Sequence, residues 1–439
     1  MKKTFLKLLE IVLKGLAKAT LEKYDPQIIG ITGSVGKSST KEAVLSVLKT
    51  KKSVRANRGN LNNELGLPLT ILGDYDYYRE DSKRKTGFWF KVIFEAVAGL
   101  LKRRKDYPEV LVLEYGANKP GDIEYLLEIA KPDISIITAI SETPVHVEFY
   151  PNPEALAREK SRLVSALSAK GTAILNFDDN IVMDMKEKTR GRIITFGFKE
   201  GADIRAVNFE NQSDGLRPIG LSFKMEHKGS AVPVRMSNIF GRSYVYNMLA
   251  AAAVGLKNNL NLVEIASALM LYRPLPGRMR LIKGEKNTWI LDDTYNAAPA
   301  STEEALEALK SLPAKRKVAV LGDMAQLGEY SVQSHEAVGK KAAGIADIIV
   351  TVGAKARFIA EAGRKKGFPK DNIYTFDNSD NAKTIVEEII KEGDLILIKG
   401  SQVTRMEKIV MEIMAEPEKA KDLLVRQYGR WLGEYYIDM

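Results

Sequence analysis

Eight residues near the start of the chain, TGSVGKSS at positions 32–39, restrict the folds that this sequence can adopt. They follow a short apolar run at Ile28–Thr32 and precede a stretch of helical periodicity at Lys37–Leu48. Glycines in such a turn let backbone N–H groups face a phosphate, and the helix N-terminus favours the negative charge. This context predicts a phosphate-binding loop rather than a chance Gly-Lys-Ser turn. The loop comprises Gly33, Ser34, Val35, Gly36, Lys37, Ser38 and Ser39.

Two side chains of this loop carry specific expectations. Lys37 is placed to reach the β- and γ-phosphates of a nucleotide, and the Ser38 hydroxyl is placed to coordinate Mg²⁺. The usual pattern has a glycine at position 31, where this chain has Ile31, and Gly30 lies one place earlier.

Strand-length apolar runs alternate with helical patterns in two parts of the chain, the second of which starts at Trp289. Such alternation indicates mainly parallel sheets covered by helices on both faces. Between the two parts, short β runs with turn residues predict a small antiparallel subdomain, and the proline-rich stretch at 273–278 predicts a hinge. We therefore predict an α/β protein with a helical leader and two α/β domains, the second Rossmann-like. The expected bounds are 1–24 for the leader, 25–284 for a central phosphate-loop domain with its antiparallel subdomain at about 192–237, and 285–439 for the second domain, helical from about 416.

Composition narrows the classes of protein to consider. At 439 residues the chain exceeds what one hydrophobic core usually organises. The absence of cysteine excludes disulfides, thiolate metal sites and cysteine nucleophiles, and it fits a reducing cytoplasm. The net charge is +10, but no recognisable nucleic-acid module accompanies the basic residues, so we do not predict a nucleic-acid partner.

Two segments have apolar patterns that are compatible with binding to a membrane. Residues 1–24 form an amphipathic pattern with Phe5, Leu8, Leu9, Val12 and Leu16 at helical spacing and lysines on another face. Residues 87–101 are strongly apolar and lie between basic clusters at 83–85 and 102–105, yet they are too short and too charged to span a bilayer. Both segments could bind at a membrane surface or could simply cover the core.

Polar side chains follow several of the predicted strands. Glu114 ends the run LVLE, and a carboxylate at the carboxyl end of a parallel strand lies where α/β sheets bind ligands. His146 follows the next strand, and Lys160 lies on a helix beginning near Pro153. Each of these residues alone is weak evidence for a functional site. The same holds for the clusters DDTYN, GDM and KGS, which follow strands of the second domain.

The order of the motifs resembles the Mur ligase superfamily, and within it the branch that adds D-alanyl-D-alanine to UDP-N-acetylmuramoyl-tripeptide. The resemblance covers about residues 28–410, most of the chain. The stretches that carry it are GITGSVGKSS at 30–39, NLNNELGLPLTIL at 60–72, LPGR at 275–278, LDDTYNAAP at 291–299, VLGDMAQLGEYS at 320–331 and KGS at 399–401.

The resemblance implies roles for residues that, taken one at a time, gave only weak evidence of function. It implies ATP and two Mg²⁺ ions as cofactors, held by the phosphate loop and by Ser38, Glu114 and His146. It also implies that Lys160 is carbamylated, which would turn a cation into a carboxylate-like metal ligand. Further expected contacts are Asn247, Arg278 and Asp293 for the nucleotide, and Asn62, Asn63, Asn296, Asp323, His335 and Lys399 in or around the substrate site.

The implied reaction needs no protein nucleophile. A substrate carboxylate attacks the γ-phosphate, giving an acyl-phosphate and ADP, and an amine then displaces phosphate. Lys37, Lys160 and His146 are the residues expected to carry this chemistry. The implied partners are ATP, a UDP-linked muramoyl peptide and D-alanyl-D-alanine, in peptidoglycan precursor synthesis in the cytoplasm.

Two departures from the family pattern leave alternatives open. Only about 30 residues precede the phosphate loop, where these ligases carry a domain for the UDP group. UDP is then held elsewhere or by a partner, or the acceptor differs, as in a folylpolyglutamate-like ligase. At Ser243-Tyr244 the family commonly has His-Asn, so Tyr244 could stack on adenine. A non-enzymatic scaffold would require lost catalytic residues, which this chain retains.

Overall fold

The computed structural model describes residues 2–59, 61–75, 86–141 and 146–431. The basic cluster at 83–85, Asn60 of the NLNNEL stretch and the last eight residues of the second domain lie outside the described residues. Within the described parts, none of the helices combines the length and the apolar character that crossing a bilayer requires.

A nine-stranded sheet organises the first part of the chain. Its strands are β1 (Gln27–Thr32), β2 (Val54–Ala56), β3 (Val110–Glu114), β4 (Ile134–Ile137), β5 (Thr172–Asn176), β6 (Arg192–Gly197), β7 (Ile204–Asp214), β8 (Arg217–His227) and β9 (Ser230–Ser237). The spatial order is β2-β3-β1-β4-β5-β6-β7-β8-β9, and β1 is parallel to both β3 and β4. The carboxyl ends of these three strands therefore meet at one edge.

The predicted antiparallel subdomain continues this sheet. Strand β6 pairs in parallel with β5, and only β7, β8 and β9 pair antiparallel with one another. The antiparallel part thus starts at Ile204 rather than at about 192.

Helices cover both faces of the first sheet. They are α1 (Lys2–Tyr24), α2 (Lys37–Leu48), α3 (Gly66–Leu72), α4 (Thr86–Leu101), α5 (Asp122–Ile129), α6 (Pro153–Ser165), α7 (Asn180–Met183), α8 (Arg242–Lys257) and α9 (Leu262–Leu269). Helix α6 begins with two start signals: Asn152 Oδ1 accepts a hydrogen bond from the Ala155 amide at 2.8 Å, and Pro153 occupies the first turn. This start sets the register that buries Lys160 under the phosphate loop.

A second, six-stranded sheet organises the rest of the chain. Its elements are β10 (Arg280–Lys283), β11 (Trp289–Asp293), α10 (Pro299–Ser311), β12 (Arg316–Gly322), α11 (Ser331–Ala342), β13 (Ile348–Val352), α12 (Arg357–Lys365), β14 (Ile373–Phe376), α13 (Ser379–Ile389), β15 (Asp394–Lys399), α14 (Glu407–Ile413) and α15 (Ala420–Leu423). The order is β10-β11-β15-β12-β13-β14, with β10 as the antiparallel edge strand. This sheet includes Arg280–Lys283, which the boundary at 284 assigned to the central domain.

The end of the chain differs from the expected helix. Short 3₁₀ turns flank α15, and the stretch after it folds back on the second domain. There the buried Arg426 guanidinium pairs with Glu407 at 2.8 Å and donates to the Tyr295 carbonyl at 2.6 Å. The segment is therefore part of the wall beside the LPGR and DDTYN stretches.

Helices α1 and α4 pack against each other and against α3. Together with α3, the two helices form a separate small core that contains Leu9, Leu13, Phe88, Trp89 and Val92. The helix over the leader was predicted correctly, but its apolar face was predicted only in part, since Leu9 and Leu16 pack against this core. The buried residues of α1 are Leu9, Leu13, Ala17 and Thr20, whereas Phe5 and Leu8 of the predicted face are exposed.

Candidate active site

A cavity of about 660 Å³ lies between the carboxyl edges of the two sheets. One wall is the phosphate loop with the ends of β3 and β4, and the other is formed by residues that follow β11 and β15. The predicted site residues that line it are Ser34, Val35, Gly36, Lys37, Ser38, Ser39, Asn62, Asn63, Glu114, His146, Asn247, Arg278, Asp293, Asn296 and Lys399. Gly33, Lys160, Asp323 and His335 lie behind these walls.

The phosphate loop needs glycine at two positions. Gly33 has φ 151°, and an added Cβ would lie 2.0 Å from Thr138 Oγ1. Gly36 has φ 86°, and an added Cβ would lie 2.9 Å from Asn247 Oδ1. Thr138 in turn donates to the Val35 carbonyl at 2.6 Å, so β4 holds the loop in place. The loop can make this turn only without side chains at both positions.

Two lysine ammonium groups converge on one carbonyl of the loop. Lys37 Nζ donates to the Gly33 oxygen at 2.7 Å, and Lys160 Nζ donates to the same oxygen at 3.1 Å. Burial lowers the pKa of Lys37, and it lowers the pKa of Lys160 well below its usual value, with the Lys37 charge adding to the effect. Lys160 is 2% exposed, so its amine is available only to groups inside the site.

Glu114 is held by a set of contacts that sequence analysis missed. Lys41 Nζ lies 3.1 Å from Glu114 Oε1 and donates to the Asn57 carbonyl at 2.6 Å. Asn57 Oδ1 accepts from the Glu114 amide at 3.0 Å. Ser38 Oγ lies 3.4 Å from the other carboxylate oxygen, Oε2. Lys41 follows Lys37 by four residues on one face of α2, a spacing that could have identified it.

His146 presents a neutral imidazole to the site. Burial, together with the charges of Lys37 and Lys160, lowers its pKa to about 4. Its Nδ1 is buried and has no hydrogen-bond partner among the described residues. A neutral imidazole nitrogen without a proton-bearing partner is available as a metal ligand or hydrogen-bonding group.

The donor set on this wall fits a divalent cation that also binds phosphate oxygens. Among the described residues, Ser34 Oγ and His146 Nδ1 are buried side-chain atoms without a hydrogen-bond partner, and Glu114 Oε1 is paired with the Lys41 ammonium at 3.1 Å. In the chain as described, no three His, Cys, Asp or Glu side chains form a metal cluster by themselves. Mg²⁺ usually takes one or two carboxylates and completes its shell with water and phosphate oxygens, so these donors suit it.

The opposite wall consists of groups that pair with one another. Lys399 Nζ donates to Asp293 Oδ2 at 2.5 Å and to the Asn296 carbonyl at 3.0 Å. Asp293 Oδ1 accepts from the Met279 amide at 3.2 Å, which ties the end of β11 to the linker before β10. The Arg278 guanidinium lies 3.9 Å from the centroid of the Tyr295 ring, and its buried Nε has no hydrogen-bond partner.

The neighbouring Asp292 is fully buried and was not singled out from the sequence. It accepts from the Gly277 amide at 3.0 Å and from Thr294 Oγ1 at 2.6 Å. Burial raises the pKa of Asp292 to about 6. Its role is to fix the LPGR stretch against the end of β11.

Tyr244 does not offer an open ring face for stacking on a base. It is 3% exposed, its ring packs edge-on against Tyr272, and its hydroxyl donates to the Arg278 carbonyl. Asn247, one turn further along α8, accepts from Thr40 Oγ1 at 2.9 Å while lining the cavity. Tyr244 therefore holds the linker, and Asn247 remains the nucleotide contact expected from this helix.

Asp323 and His335 support the second wall from behind. Asp323 Oδ1 accepts from the amides of Lys355 and Ala356 at 3.0 and 2.6 Å. His335 is fully buried, with Nε2 accepting from the Met324 amide at 2.9 Å and Nδ1 against the Ser331 carbonyl at 2.6 Å. Both ring nitrogens are therefore occupied.

Asn62 and Asn63 reach the cavity from the turn before α3. The Asn62 carbonyl accepts from the Gly116 amide at 3.0 Å, and Asn63 Oδ1 accepts from the Gly66 amide at 2.9 Å. They stand beside the end of β3, on the wall that carries Glu114.

Two family descriptions match this chain. "Mur ligase middle domain" matches residues 96–255, and "Mur ligase, glutamate ligase domain" matches residues 277–402. The two matches fall on the two sheets that form the cavity.

Individual relatives match over most of the chain. The UDP-N-acetylmuramoyl-tripeptide--D-alanyl-D-alanine ligase of Mycobacterium leprae is 31% identical over 399 residues, covering 85% of this chain and 71% of the relative. The enzyme of the same name from Bacillus subtilis is 29% identical, covering 92% of this chain and 79% of the relative. Among solved structures, MurF ligase from Thermotoga maritima in complex with ADP superposes with a TM-score of 0.74 at 26% identity, covering 93% of this chain and 84% of that one.

Proposed function

The chain belongs to the Mur ligase family, and from that premise we propose that it adds D-alanyl-D-alanine to UDP-N-acetylmuramoyl-tripeptide, with ATP and Mg²⁺, in cytoplasmic peptidoglycan precursor synthesis. The observation that carries the proposal is the single cavity that Lys37, Glu114 and His146 share with Arg278 and Asp293. These residues come from both sheets and match the order of motifs in the family. The names of the relatives supply the substrates.

The phosphate loop and its surroundings supply the positive charge for phosphoryl transfer. Lys37 leaves the Gly33 carbonyl for the β- and γ-phosphates, while the loop amides face the phosphate oxygens. Ser38, Glu114 and His146 would hold Mg²⁺, and the ion would supply positive charge to neutralise the transferred phosphoryl group. Nothing in this arrangement acts as a protein nucleophile.

The second wall positions both substrates and excludes water. Arg278 and Asp293 face the nucleotide from the second sheet, and the Asp293–Lys399 pair fixes their distance from the Asn296 turn. Asn62 and Asn63 on the first wall, and Asn296 on the second, offer amide groups to the peptide substrates. Closure of the two walls would protect the acyl-phosphate from hydrolysis.

The deciding experiment is ADP release from the purified full chain with UDP-N-acetylmuramoyl-tripeptide and D-alanyl-D-alanine. We expect turnover only when ATP, Mg²⁺ and both peptides are present, with a product heavier by the dipeptide minus water. Turnover with a different acid and amine, such as a folate and glutamate, would replace the substrate assignment and leave the ligase chemistry standing. Absence of turnover with every acid and amine pair tested would contradict the assignment of ligase activity.

We further propose that Lys160 is carbamylated. Its amine is buried under the phosphate loop beside Lys37, and the lowered pKa favours the neutral amine, which can attack CO₂ and release a proton. The carbamate would place a negative charge beside the Lys37 ammonium. It would also give Glu114 and His146 a third metal-ligating neighbour.

The carbamate has a readout that does not depend on activity. Incubation with ¹³C-bicarbonate should give one carbamate carbon resonance in the full chain, and Lys160→Ala and Lys160→Arg should both lack it. Lys160→Ala should abolish ADP release, with partial rescue by short carboxylates such as acetate. Full activity of Lys160→Ala, or a resonance that persists in it, would rule out the assignment.

A further inference from the structure

The pair of helices α1 and α4 exposes apolar side chains on the faces opposite to their shared core. On α4, the residues Phe90, Phe94, Val97 and Leu101 are 69%, 74%, 41% and 84% exposed. Their spacing of four, three and four residues places them on one stripe of the helix. The buried stripe of the same helix, which includes Trp89, Val92 and Ala96, lies on the other side.

Helix α1 also exposes apolar side chains. Phe5, Leu8 and Ile11 are 48%, 61% and 67% exposed, while Leu9 and Leu13 face the core shared with α4. The two helices lie side by side, as shown by the Tyr24 hydroxyl donating to the Gly99 carbonyl at 2.8 Å. Folded proteins rarely leave an extended apolar patch exposed without a partner. We call the exposed residues of α1 and α4 the helical patch.

Charge identifies the kind of partner. Lysines and arginines occur throughout the chain, but the net charge is concentrated around the helical patch. Residues 2–24 and 86–107 contain 11 of the 66 basic residues but only 4 of the 56 acidic ones, so they carry seven of the ten net positive charges. Lys91, Lys102, Arg103 and Lys105 are exposed next to the apolar stripe of α4.

We propose that the helical patch binds the surface of an anionic lipid bilayer. Phenylalanine and leucine side chains would enter the boundary between headgroups and acyl chains, and the flanking lysines and arginines would contact anionic headgroups. A second copy of the chain is a poorer partner, because its patch would bring the same excess of positive charge to the interface. The active-site cavity does not include the patch, so the full chain can bind lipid without blocking the site.

The test is co-flotation of the full chain with vesicles of phosphatidylcholine alone and of phosphatidylcholine with phosphatidylglycerol. Binding should require the anionic lipid and should fall by about tenfold in Phe90→Ser/Phe94→Ser and in Lys102→Glu/Arg103→Glu. Matched controls remove equal exposed groups elsewhere: Val263→Ser/Leu271→Ser for apolar surface, and Lys170→Glu/Lys391→Glu for charge. These should bind as the unchanged chain does.

Three results would overturn the proposal. They are no binding of the unchanged chain to anionic vesicles, equal binding by the patch variants, and a lipid-free dimer that Phe90→Ser/Phe94→Ser dissociates. The last result would make the patch an interface between copies. Circular dichroism and ADP release in lipid-free buffer check that the variants are folded. Flotation does not depend on the proposed ligase activity, so either proposal can fail without the other.

Discussion

The two walls of the cavity differ in how their polar groups are satisfied. On the phosphate-loop wall, Ser34 Oγ and His146 Nδ1 are buried without hydrogen-bond partners among the described residues, and Glu114 Oε1 is paired with the Lys41 ammonium at 3.1 Å. On the second wall, Asp293 is paired with Lys399, and Asp323 and His335 are bonded to backbone groups. Buried polar atoms without partners are costly, and they persist where a ligand is to bind.

The two walls therefore have different roles in the site. Apart from the Lys41–Glu114 pair, the first wall keeps unpaired donors and acceptors for phosphate and metal, so changes to those groups should affect chemistry more than folding. The second wall uses its charges to hold the linker and the strand ends together, so changes there should affect folding first. Arg278 is the exception, since it comes from the linker yet has an unpaired buried Nε facing the cavity.

The largest expected effect is on catalysis from the first wall. Lys37→Met removes the charge that we assign to the phosphates, and kcat for ADP release should fall by about a thousandfold. The thermal midpoint should stay close to that of the unchanged chain, because within the described residues the Lys37 ammonium makes one hydrogen bond, to the Gly33 carbonyl. Lys49→Met, an exposed lysine just after α2, is the control and should keep full activity. A Lys37→Met protein with a clearly lower thermal midpoint would contradict the predicted difference between the two walls.

The second-largest expected effect is a loss of stability caused by a substitution in the second wall. Lys399→Met leaves the Asp293 carboxylate buried without its partner, and the free energy of unfolding should fall by about 3 kcal/mol. Adding Asp293→Asn should recover part of this loss, because the unpaired charge is then absent. Urea unfolding of the two single variants and the double variant measures the coupling. Additive losses would show that the pair does not hold this wall.

Asp292 predicts a pH dependence of the second wall. Its folded-state pKa of about 6 lies above the ordinary 3.8 of an aspartate, so the folded state retains the proton to higher pH. The stabilisation is complete below the ordinary pKa and is lost as pH rises through about 6, a loss of about 3 kcal/mol. Urea midpoints of the unchanged chain should therefore fall relative to Asp292→Asn between about pH 4 and pH 6.5. A difference that does not vary with pH would contradict the raised pKa.

The smallest effect concerns how the first wall holds its metal ligand. Lys41→Met keeps most of the buried volume but frees Glu114 Oε1, so the Mg²⁺ concentration for half-maximal ADP release should rise by about tenfold. The KM for ATP at saturating Mg²⁺ should change little. Tighter Mg²⁺ binding would instead show that Lys41 acts mainly as a competing charge. Lys49→Met again serves as the control.

Much of the fold followed from local patterns. Helix α2 has the predicted bounds and strand β3 ends at Glu114 as predicted, because apolar runs and helical periodicity are local signals. The family assignment is confirmed, since it rests on an ordered set of motifs rather than on one match. The short strands β2 and β14 were missed, since three or four residues give too little periodicity to identify a strand. The assignment of individual site residues stays a prediction.

Other features depended on contacts between distant segments. The roles of Lys41 and Arg426 could not be read from their neighbours in sequence, because each is set by a partner from another element. The same reason explains the apolar face of α1, since packing against α4 and α3 selects Leu9 and Leu13 over Phe5 and Leu8.

The sequence alone determined the phosphate loop, because its glycines and the flanking strand and helix are contiguous and their geometry is local. It also determined the family, through the order of its motifs. Only the tertiary structure decided which polar atoms at Ser34 and His146 remain unpaired among the described residues and which atoms pair across the second wall. It likewise decided which helix faces stay exposed. Pairing and exposure are sums over neighbours far apart in the chain, and no local pattern records them.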